Sequence, residues 1–277
     1  MNILILGASG FLGGKLYMAL DKEVKFNILG TCFQSDSTNE LLRIDVTNRD
    51  EVKCMMAEFN PDVVIWSLMS KTNEKYLIEN GMKNILEFFP SEKKMIFISS
   101  NAVFHGRKGN YTEDNIPTYK NSTSPIAIYS NAKIYGEKMV QKRENYMIIR
   151  PGAIYGKDAK GKWDKRISQL IDKLDNKEEI IRTDNLFNTF VEVDELACAI
   201  VKLINMDYKG VVHLGPQRKE SYYNYYKRMA KNLSLDDSLI KSNSISAEYA
   251  EENGISMDQS IDTSKCRTLF GDIFSNV

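Results

Sequence analysis

Several features that mark whole classes of protein are missing from this sequence of 277 residues. Two histidines and four scattered cysteines without a CxxC pair argue against a metal cluster or a disulfide framework. Neither sign of charge is in excess, because 37 Lys and Arg balance 37 Asp and Glu, so nothing favours nucleic acid or an anionic membrane as a partner. No apolar run approaches the roughly 20 residues that span a bilayer, and no basic stretch precedes the start MNILILG. We therefore expect a cytoplasmic protein whose cysteines are reduced core thiols: Cys32, Cys54, Cys198 and Cys266.

What is present is a regular alternation of short apolar runs and longer amphipathic stretches, which predicts an α/β fold with a doubly wound parallel sheet of the Rossmann type. The runs typical of strands are Asn2–Leu6, Lys25–Thr31, Leu42–Ile44, Val63–Ser67, Lys94–Ser99, Met147–Arg150, Glu179–Arg182 and Val211–Gly215. The stretches typical of helices are Phe11–Asp21, Arg49–Phe59, Asn73–Phe88, Tyr129–Lys142, Trp163–Leu174, Val193–Met206 and Ser221–Asn232. We place a Rossmann domain at residues 1–155, to which residues 186–206 return, and a smaller C-terminal substrate-binding lobe at 156–277.

A glycine-rich turn, GASGFLG, directly follows the first strand and opens the first helix. Phosphate binding needs backbone N–H groups that point at the anion and no side chain in the way, and glycines before a helix N-terminus supply both. The alternative is a tight turn that binds nothing. The position after a clean strand favours the pyrophosphate of NAD or NADP. The expected contacts are Gly7, Ser9, Gly10, Phe11, Leu12 and Gly13.

The end of the second strand bears on the choice between the two cofactors. NAD enzymes of this type usually place a carboxylate there to hold the ribose hydroxyls, but this chain has Gly30 and Thr31. No arginine stands there for the 2′-phosphate of NADP either. Thr31, Gln34 and Ser35 offer neutral hydrogen bonds, so the sequence slightly favours NADP over NAD.

Residues after the third and fourth strands complete the predicted cofactor site. We expect Asp45 and Val46 to close over the adenine, and an equally good interpretation is that Asp45 or Thr47 caps the next helix. Ser67 and Leu68 follow the fourth strand and are predicted to contact the cofactor as well.

A tyrosine and a lysine four residues apart open a predicted helix and lie on one helical face. Tyr129 is the candidate acid/base, and the neighbouring Lys133 ammonium would lower the pKa of its phenol and reach the nicotinamide ribose. Ser99 and Ser100 end the preceding strand; the first is a predicted cofactor contact and the second a hydroxyl that can polarise a carbonyl. Because these elements follow the glycine turn in order, coincidence is a poor explanation.

These motifs together resemble the extended short-chain dehydrogenases/reductases, which act mainly on nucleotide sugars. The resemblance runs through residues 1 to about 200, in the segments GASGFLG, PDVVIW, ISSNAVFHG, YTED, PIAIYSNAKIYGE, RPGAIYG and FVEVDELA. It implies that Tyr129 is the proton donor, that Lys133 orients the cofactor and the tyrosine, and that Ser100 holds the substrate oxygen. It also implies a small C-terminal lobe that closes over the nucleotide sugar.

Within that family, the segment Val103–Gly106 resembles the VFxG of the dTDP-4-dehydrorhamnose reductase branch. The 4,6-dehydratases carry an Asp-Glu pair where this chain has Asn101 and Ala102, which disfavours dehydratase chemistry. The chain departs from the reductase branch at Ala102 and Ala153, where those enzymes carry aromatic residues. The reaction type is therefore better supported than the particular sugar.

Three functions stay open at this point. The favoured one is reduction of a 4-keto nucleotide sugar, with no nucleic acid or membrane partner. The second is an NAD-dependent epimerase, which oxidises and re-reduces the same carbon. The third is a non-catalytic NAD(P)-binding subunit or sensor, against which the presence of both Tyr129 and Lys133 argues. A homodimer is an assembly that the sequence leaves open.

Overall fold

The structure is a computed structural model that describes residues 1–34, 40–70, 73–206 and 208–275. Ser35, predicted as a ribose contact, lies outside these residues. The strands are β1 Asn2–Leu6, β2 Asn27–Cys32, β3 Leu41–Arg43, β4 Val63–Trp66, β5 Lys94–Ile98, β6 Tyr146–Pro151, β7 Ala153–Tyr155, β8 Ile180–Thr183, β9 Phe187–Asn188, β10 Phe190–Glu192, β11 Gly210–Leu214, β12 Glu220–Ser221 and β13 Ile240–Asn243. The α-helices are α1 Phe11–Asp21, α2 Arg49–Phe59, α3 Glu74–Tyr76, α4 Lys83–Phe88, α5 Pro125–Val140, α6 Lys165–Asp175, α7 Val193–Asn205, α8 Tyr222–Asn232, α9 Ala247–Glu252 and α10 Ser264–Phe270.

The central sheet has seven strands in the order β11-β6-β5-β4-β1-β2-β3. Its pairings from β3 through β6 are parallel, with Ile5 of β1 opposite Gly30 of β2 on one side and Ile65 of β4 on the other. The predicted doubly wound parallel sheet is thereby confirmed. The chain changes direction across the sheet between β1 and β4, and ligands of such sheets bind beyond the carboxyl ends of the strands at this point.

Two compact units divide the chain. The first comprises residues 1–103, 119–150 and 197–212, and the second comprises 104–118, 151–196 and 213–277. The predicted domain boundary at residue 155 stays a prediction. The compact units differ from it because residues 104–118 pack with later segments and because the returning segment is 197–212.

The first unit is held together by the continuous apolar runs of its central strands. Every residue of β4 and the middle residues of β5 are buried, as strands covered on both faces require. Trp66 and Phe97 pack there with Val52 of α2 and Ile85 of α4. This packing fixes the carboxyl ends of β1, β4 and β5, and the candidate site lies just beyond them.

The second unit contains three two-stranded sheets, β7–β10, β8–β13 and β9–β12. Its core is rich in aromatic rings, and Phe190 stacks on Tyr225 with 3.8 Å between ring centroids. The elements β13, α9 and α10 fall in the C-terminal stretch where the sequence predicts no regular structure.

Two sequence predictions, the burial of all four cysteines and the start of helix α5, are wrong. Cys54 and Cys198 are exposed, and only Cys32 and Cys266 are core thiols. Helix α5 begins at Pro125, four residues before the predicted start, because the Ser124 side chain caps it and proline suits its first turn. None of the helices described here is both long and apolar enough to cross a membrane.

Candidate active site

The glycine turn after β1 is tightly wound. Gly7 has a φ of +91°, a conformation that favours glycine, and its carbonyl accepts a hydrogen bond from the Gly10 N–H at 2.9 Å. A Cβ atom at Gly13 would lie 2.1 Å from the same Gly7 carbonyl oxygen, so only glycine lets the helix approach this closely. The turn thus depends on two glycines for its shape.

The N-terminus of α1 is free to bind an anion. Gly10 is the N-cap, and no side chain of the described residues caps this helix or adds an acid to its first turn. Ser9 and Gly10 are exposed, Phe11 is half-buried, and Leu12 is buried in the core. The uncapped N–H groups and the helix dipole suit a pyrophosphate, so these residues fit the dinucleotide that the sequence predicts.

Thr31 supports this turn from β2. Its side chain is 1% exposed, and its hydroxyl accepts a hydrogen bond from the Gly7 N–H at 3.2 Å. The hydroxyl therefore faces the glycine turn, and a direct contact between Thr31 and a ribose stays a prediction.

Asp45 and Val46 follow β3, but neither of the proposed helix caps is used. The Asp45 carboxylate accepts hydrogen bonds from the Thr47 N–H at 2.9 Å and the Thr47 hydroxyl at 2.8 Å. Asn48 caps α2, so the interpretation of Asp45 or Thr47 as the cap is wrong. The Val46 side chain is buried in the core. Contact of either residue with an adenine stays a prediction.

The loop after β4 joins the glycine turn to the candidate catalytic pair. A Cβ atom placed on Gly7 would lie 3.1 Å from both the Leu68 side chain and the Ser67 carbonyl oxygen. The Leu68 carbonyl in turn accepts a hydrogen bond from the Lys133 ammonium at 3.4 Å. The glycine turn and Lys133 therefore both lie against Leu68.

Tyr129 and Lys133 lie together on α5, as the four-residue spacing predicts. The Lys133 Nζ atom is 5.6 Å from the centroid of the Tyr129 ring and 5.2 Å from that of Phe97. It also donates a hydrogen bond to the Ile98 carbonyl at the end of β5, at 3.4 Å. Tyr129 is half-buried, so its ring is accessible to a ligand, whereas Lys133 is 3% exposed.

A carboxylate that the sequence analysis missed pairs with Lys133. Glu74 of α3 lies 2.9 Å from the Lys133 Nζ atom, and both side chains are 3% exposed. Burial lowers the pKa of the Lys133 ammonium, but the charge that Tyr129 carries once it is deprotonated and the charges of Glu74 and Glu137 outweigh that effect and raise the pKa above its ordinary value. Lys133 is thus held in its protonated form.

The two serines that end β5 have different partners. The Ser99 hydroxyl donates to Glu137 at 2.6 Å, and Glu137 also accepts hydrogen bonds from the Arg150 guanidinium at 2.9 and 2.7 Å. These three side chains are all buried, so the network anchors the end of β5 to α5. Ser100 is half-buried, and its hydroxyl accepts a hydrogen bond from the Ala102 N–H at 3.1 Å. Of the two hydroxyls, only that of Ser100 is left with a proton to donate to a ligand.

A family model described as the RmlD substrate binding domain matches residues 1–275. The chain belongs to the RmlD substrate-binding-domain family. The resemblance inferred from the sequence motifs, to extended short-chain dehydrogenases/reductases near the dTDP-4-dehydrorhamnose reductase branch, is confirmed.

Two solved structures similar to this RmlD-family chain carry reductase names. A hypothetical dTDP-4-dehydrorhamnose reductase from Sulfolobus tokodaii has a TM-score of 0.81 and 20% identity, covering 100% of this chain and 98% of its own. The dTDP-4-dehydrorhamnose reductase from Bacillus anthracis, solved in complex with NADP, has a TM-score of 0.75 and 23% identity, covering 96% and 92%. Both likenesses show a shared fold.

A curated relative of this RmlD-family chain carries a different kind of name. It is methionine adenosyltransferase 2 subunit beta from Xenopus laevis, which is 24% identical over 255 residues, or 86% of this chain and 74% of that protein. The name describes a subunit of a transferase rather than a reductase.

Proposed function

We propose that the chain is an NAD(P)-dependent reductase of a 4-keto nucleotide sugar. The observation that carries the proposal is the continuity from the uncapped N-terminus of α1, through Leu68, to Lys133 and Tyr129. A dinucleotide whose pyrophosphate lies on the glycine turn would extend toward the Tyr129 phenol along this path. Family membership and the fold shared with dTDP-4-dehydrorhamnose reductases support the same reaction.

Tyr129, Ser100 and Lys133 have separate roles in such a reduction. A nicotinamide dinucleotide held at the glycine turn would supply the hydride for the carbonyl carbon. The Tyr129 phenol gives its proton to the carbonyl oxygen, and the Ser100 hydroxyl donates a hydrogen bond to that oxygen as negative charge develops. Lys133 stabilises the phenolate that remains, because its charge is kept in a buried setting where electrostatic effects are strong.

The proposal is tested with purified protein, NADPH and a dTDP-4-keto-6-deoxysugar. Oxidation of NADPH measured at 340 nm should match, mole for mole, the reduced nucleotide sugar found by mass spectrometry. Interconversion of epimers without net NADPH oxidation would instead identify an epimerase. Absence of both reactions with a series of 4-keto nucleotide sugars would contradict an enzymatic role on this substrate class.

Cofactor preference is a separate prediction. We expect NADPH to bind at least as tightly as NADH, because the end of β2 offers no carboxylate to repel the 2′-phosphate. The difference in affinity between NADPH and NADH should be small, since no arginine or lysine stands there to form charge-assisted hydrogen bonds with the 2′-phosphate. Gln34 is exposed, so Gln34→Asp should shift the preference toward NADH, and Gln34→Asn is the matched control.

Fluorescence titration of both reduced cofactors against the three proteins measures this preference. If wild type binds NADH at least tenfold more tightly than NADPH, a gap of about 1.4 kcal/mol, the interpretation of the second strand is wrong.

A second candidate function is a regulatory subunit of a methionine adenosyltransferase. The observation that favours it is the match to a subunit beta over 86% of this chain. Such a role requires no turnover at Tyr129. Titration of the chain with a purified methionine adenosyltransferase catalytic subunit, followed by sedimentation velocity, should then give a complex of defined stoichiometry. Failure to form that complex at micromolar concentrations, with and without NADPH, would remove this candidate.

A further inference from the structure

The Lys133 ammonium has a single charged partner within ion-pair distance among the described residues, and that partner comes from a different helix. Its two backbone acceptors, the carbonyls of Leu68 and Ile98, are both 3.4 Å away, which is long for a hydrogen bond. Glu74 is 2.9 Å away. Of the groups around this ammonium, Glu74 therefore makes the closest contact.

Three groups that carry or can acquire negative charge lie around the Lys133 ammonium: Tyr129, Glu74 and Glu137. On the same helix, Glu137 accepts hydrogen bonds from two nitrogen atoms of the Arg150 guanidinium, and its charge raises the Lys133 pKa less than those of Tyr129 and Glu74 do. Tyr129 is uncharged until it gives up its proton. From the elements packed against α5, Glu74 of α3 is the charged group that faces Lys133. Without it, the ammonium would keep two distant carbonyls and the charge of a carboxylate that is already bound to Arg150, and burial with such weak partners favours loss of the proton.

The position of Glu74 is itself fixed by local structure. It is the first residue of α3, which the Asn73 side chain caps by accepting a hydrogen bond from the Tyr76 N–H. The Ser70 N–H donates to the second Glu74 carboxylate oxygen at 2.5 Å. One carboxylate oxygen is thus hydrogen-bonded to the backbone, and the other forms an ion pair with Lys133.

We infer that Glu74 is a positioning residue for the proposed reaction. It keeps Lys133 protonated and directed toward Tyr129. The catalytic role of Glu74 rests on the proposed function, whereas its effect on the protonation of Lys133 does not. Glu74 acts through Lys133 and is not itself assigned a contact with substrate or cofactor. The net charge of the pair is zero, so the site retains a fixed local dipole in place of an isolated buried cation.

The direct test is the titration of Lys133 in protein labelled with ¹³C at the lysine ε-carbon, followed by NMR between pH 6 and pH 11. Lys133→Arg identifies the resonance by its loss. Wild type should keep Lys133 protonated beyond the ordinary lysine range, in line with the direction of its pKa. In Glu74→Gln the midpoint should fall by about two pH units or more, because the carboxylate in ion-pair contact with the ammonium is lost while its burial remains. Glu74→Asp should lie between the two.

Glu87→Gln is the matched control, because Glu87 is a surface carboxylate that pairs with Arg49 and lies outside the site. It should leave the Lys133 titration unchanged. If Glu74→Gln does not fold, wild type and Glu74→Asp still decide: a Lys133 midpoint below pH 9 in wild type would overturn the inference. So would an unchanged midpoint in a folded Glu74→Gln protein.

Activity provides an independent readout. In an active enzyme, the alkaline limb of kcat/KM should move to lower pH in Glu74→Gln by the same interval as the NMR midpoint, and Glu74→Asp should restore most of it. If wild type reduces no nucleotide sugar but the Lys133 midpoint still falls in Glu74→Gln, the proposed function fails and this inference stands. If wild type is active but neither the midpoint nor the alkaline limb moves, the inference alone fails.

Discussion

Replacing Tyr129 with phenylalanine should lower turnover of a 4-keto nucleotide sugar by about 100-fold or more, because general-acid groups contribute on that scale. The change removes the phenolic oxygen and keeps the ring, which lies 5.6 Å from the Lys133 Nζ atom. The Lys133–Glu74 pair does not depend on that oxygen, so the packing around α5 should survive. Dinucleotide affinity should stay near the wild-type value, because the glycine turn is untouched.

The measurement is kcat at saturating NADPH and nucleotide sugar, with dinucleotide affinity measured by calorimetry on the same preparations. Tyr135→Phe is the matched control: Tyr135 lies on the same helix but is exposed, and its loss should leave turnover within twofold. Turnover near the wild-type value in folded Tyr129→Phe protein would show that another group donates the proton.

The sheet and its first helices could be predicted because their signals are local. The bounds of β1, α1 and α2 agree with the sequence prediction at every residue, since each element has a clean apolar period and a clear boundary. The start of α5 is also signalled locally, by Ser124 and Pro125, although the apolar pattern alone places it at Tyr129.

The interruption of the predicted helix Asn73–Phe88 could not be predicted in this way. The segment Leu77–Met82 is a π-helix between α3 and α4. A Cβ atom at Gly81 would lie 2.7 Å from Val46 and 3.2 Å from Trp66. The wider turn accommodates these contacts with residues far away in the sequence. The apolar periodicity of the segment itself does not reveal such contacts.

The candidate site shows the same limit. Tyr129 and Lys133 are recognisable because their spacing of four residues is visible in the sequence of one helix. Glu74 is not recognisable in this way, because it pairs with Lys133 across 59 positions of sequence and its neighbours show only an acid in the first turn of a short helix. The different partners of Ser99 and Ser100 were hidden for the same reason, since Glu137 approaches Ser99 from another element.

Replacing Gly10 with valine should abolish dinucleotide binding while the fold persists. Gly10 is exposed and has a φ of −81°, which any residue can adopt. Outside its own helix turn, the one described atom close to its Cβ position is the Gly7 carbonyl oxygen, at 3.1 Å, so the turn has to shift by only a few tenths of an ångström. The branched side chain would stand over the uncapped N–H groups of α1, where the pyrophosphate is expected. We expect affinity to fall by about 100-fold or more, which corresponds to about 2.7 kcal/mol. Loss of the glycine cap itself should cost only about 1 kcal/mol of stability.

Two further variants separate this effect from damage to the fold. Met18→Val places the same branched side chain on an exposed position of α1 and should leave affinity unchanged. Gly13→Ala should instead destabilise the protein, because its Cβ atom would lie 2.1 Å from the Gly7 carbonyl oxygen. Calorimetry with NADPH and thermal unfolding by circular dichroism measure the two quantities for each protein. Wild-type affinity in a folded Gly10→Val protein would mean that the glycine turn only joins β1 to α1, because a pyrophosphate bound at the turn would leave no space for the added methyl groups.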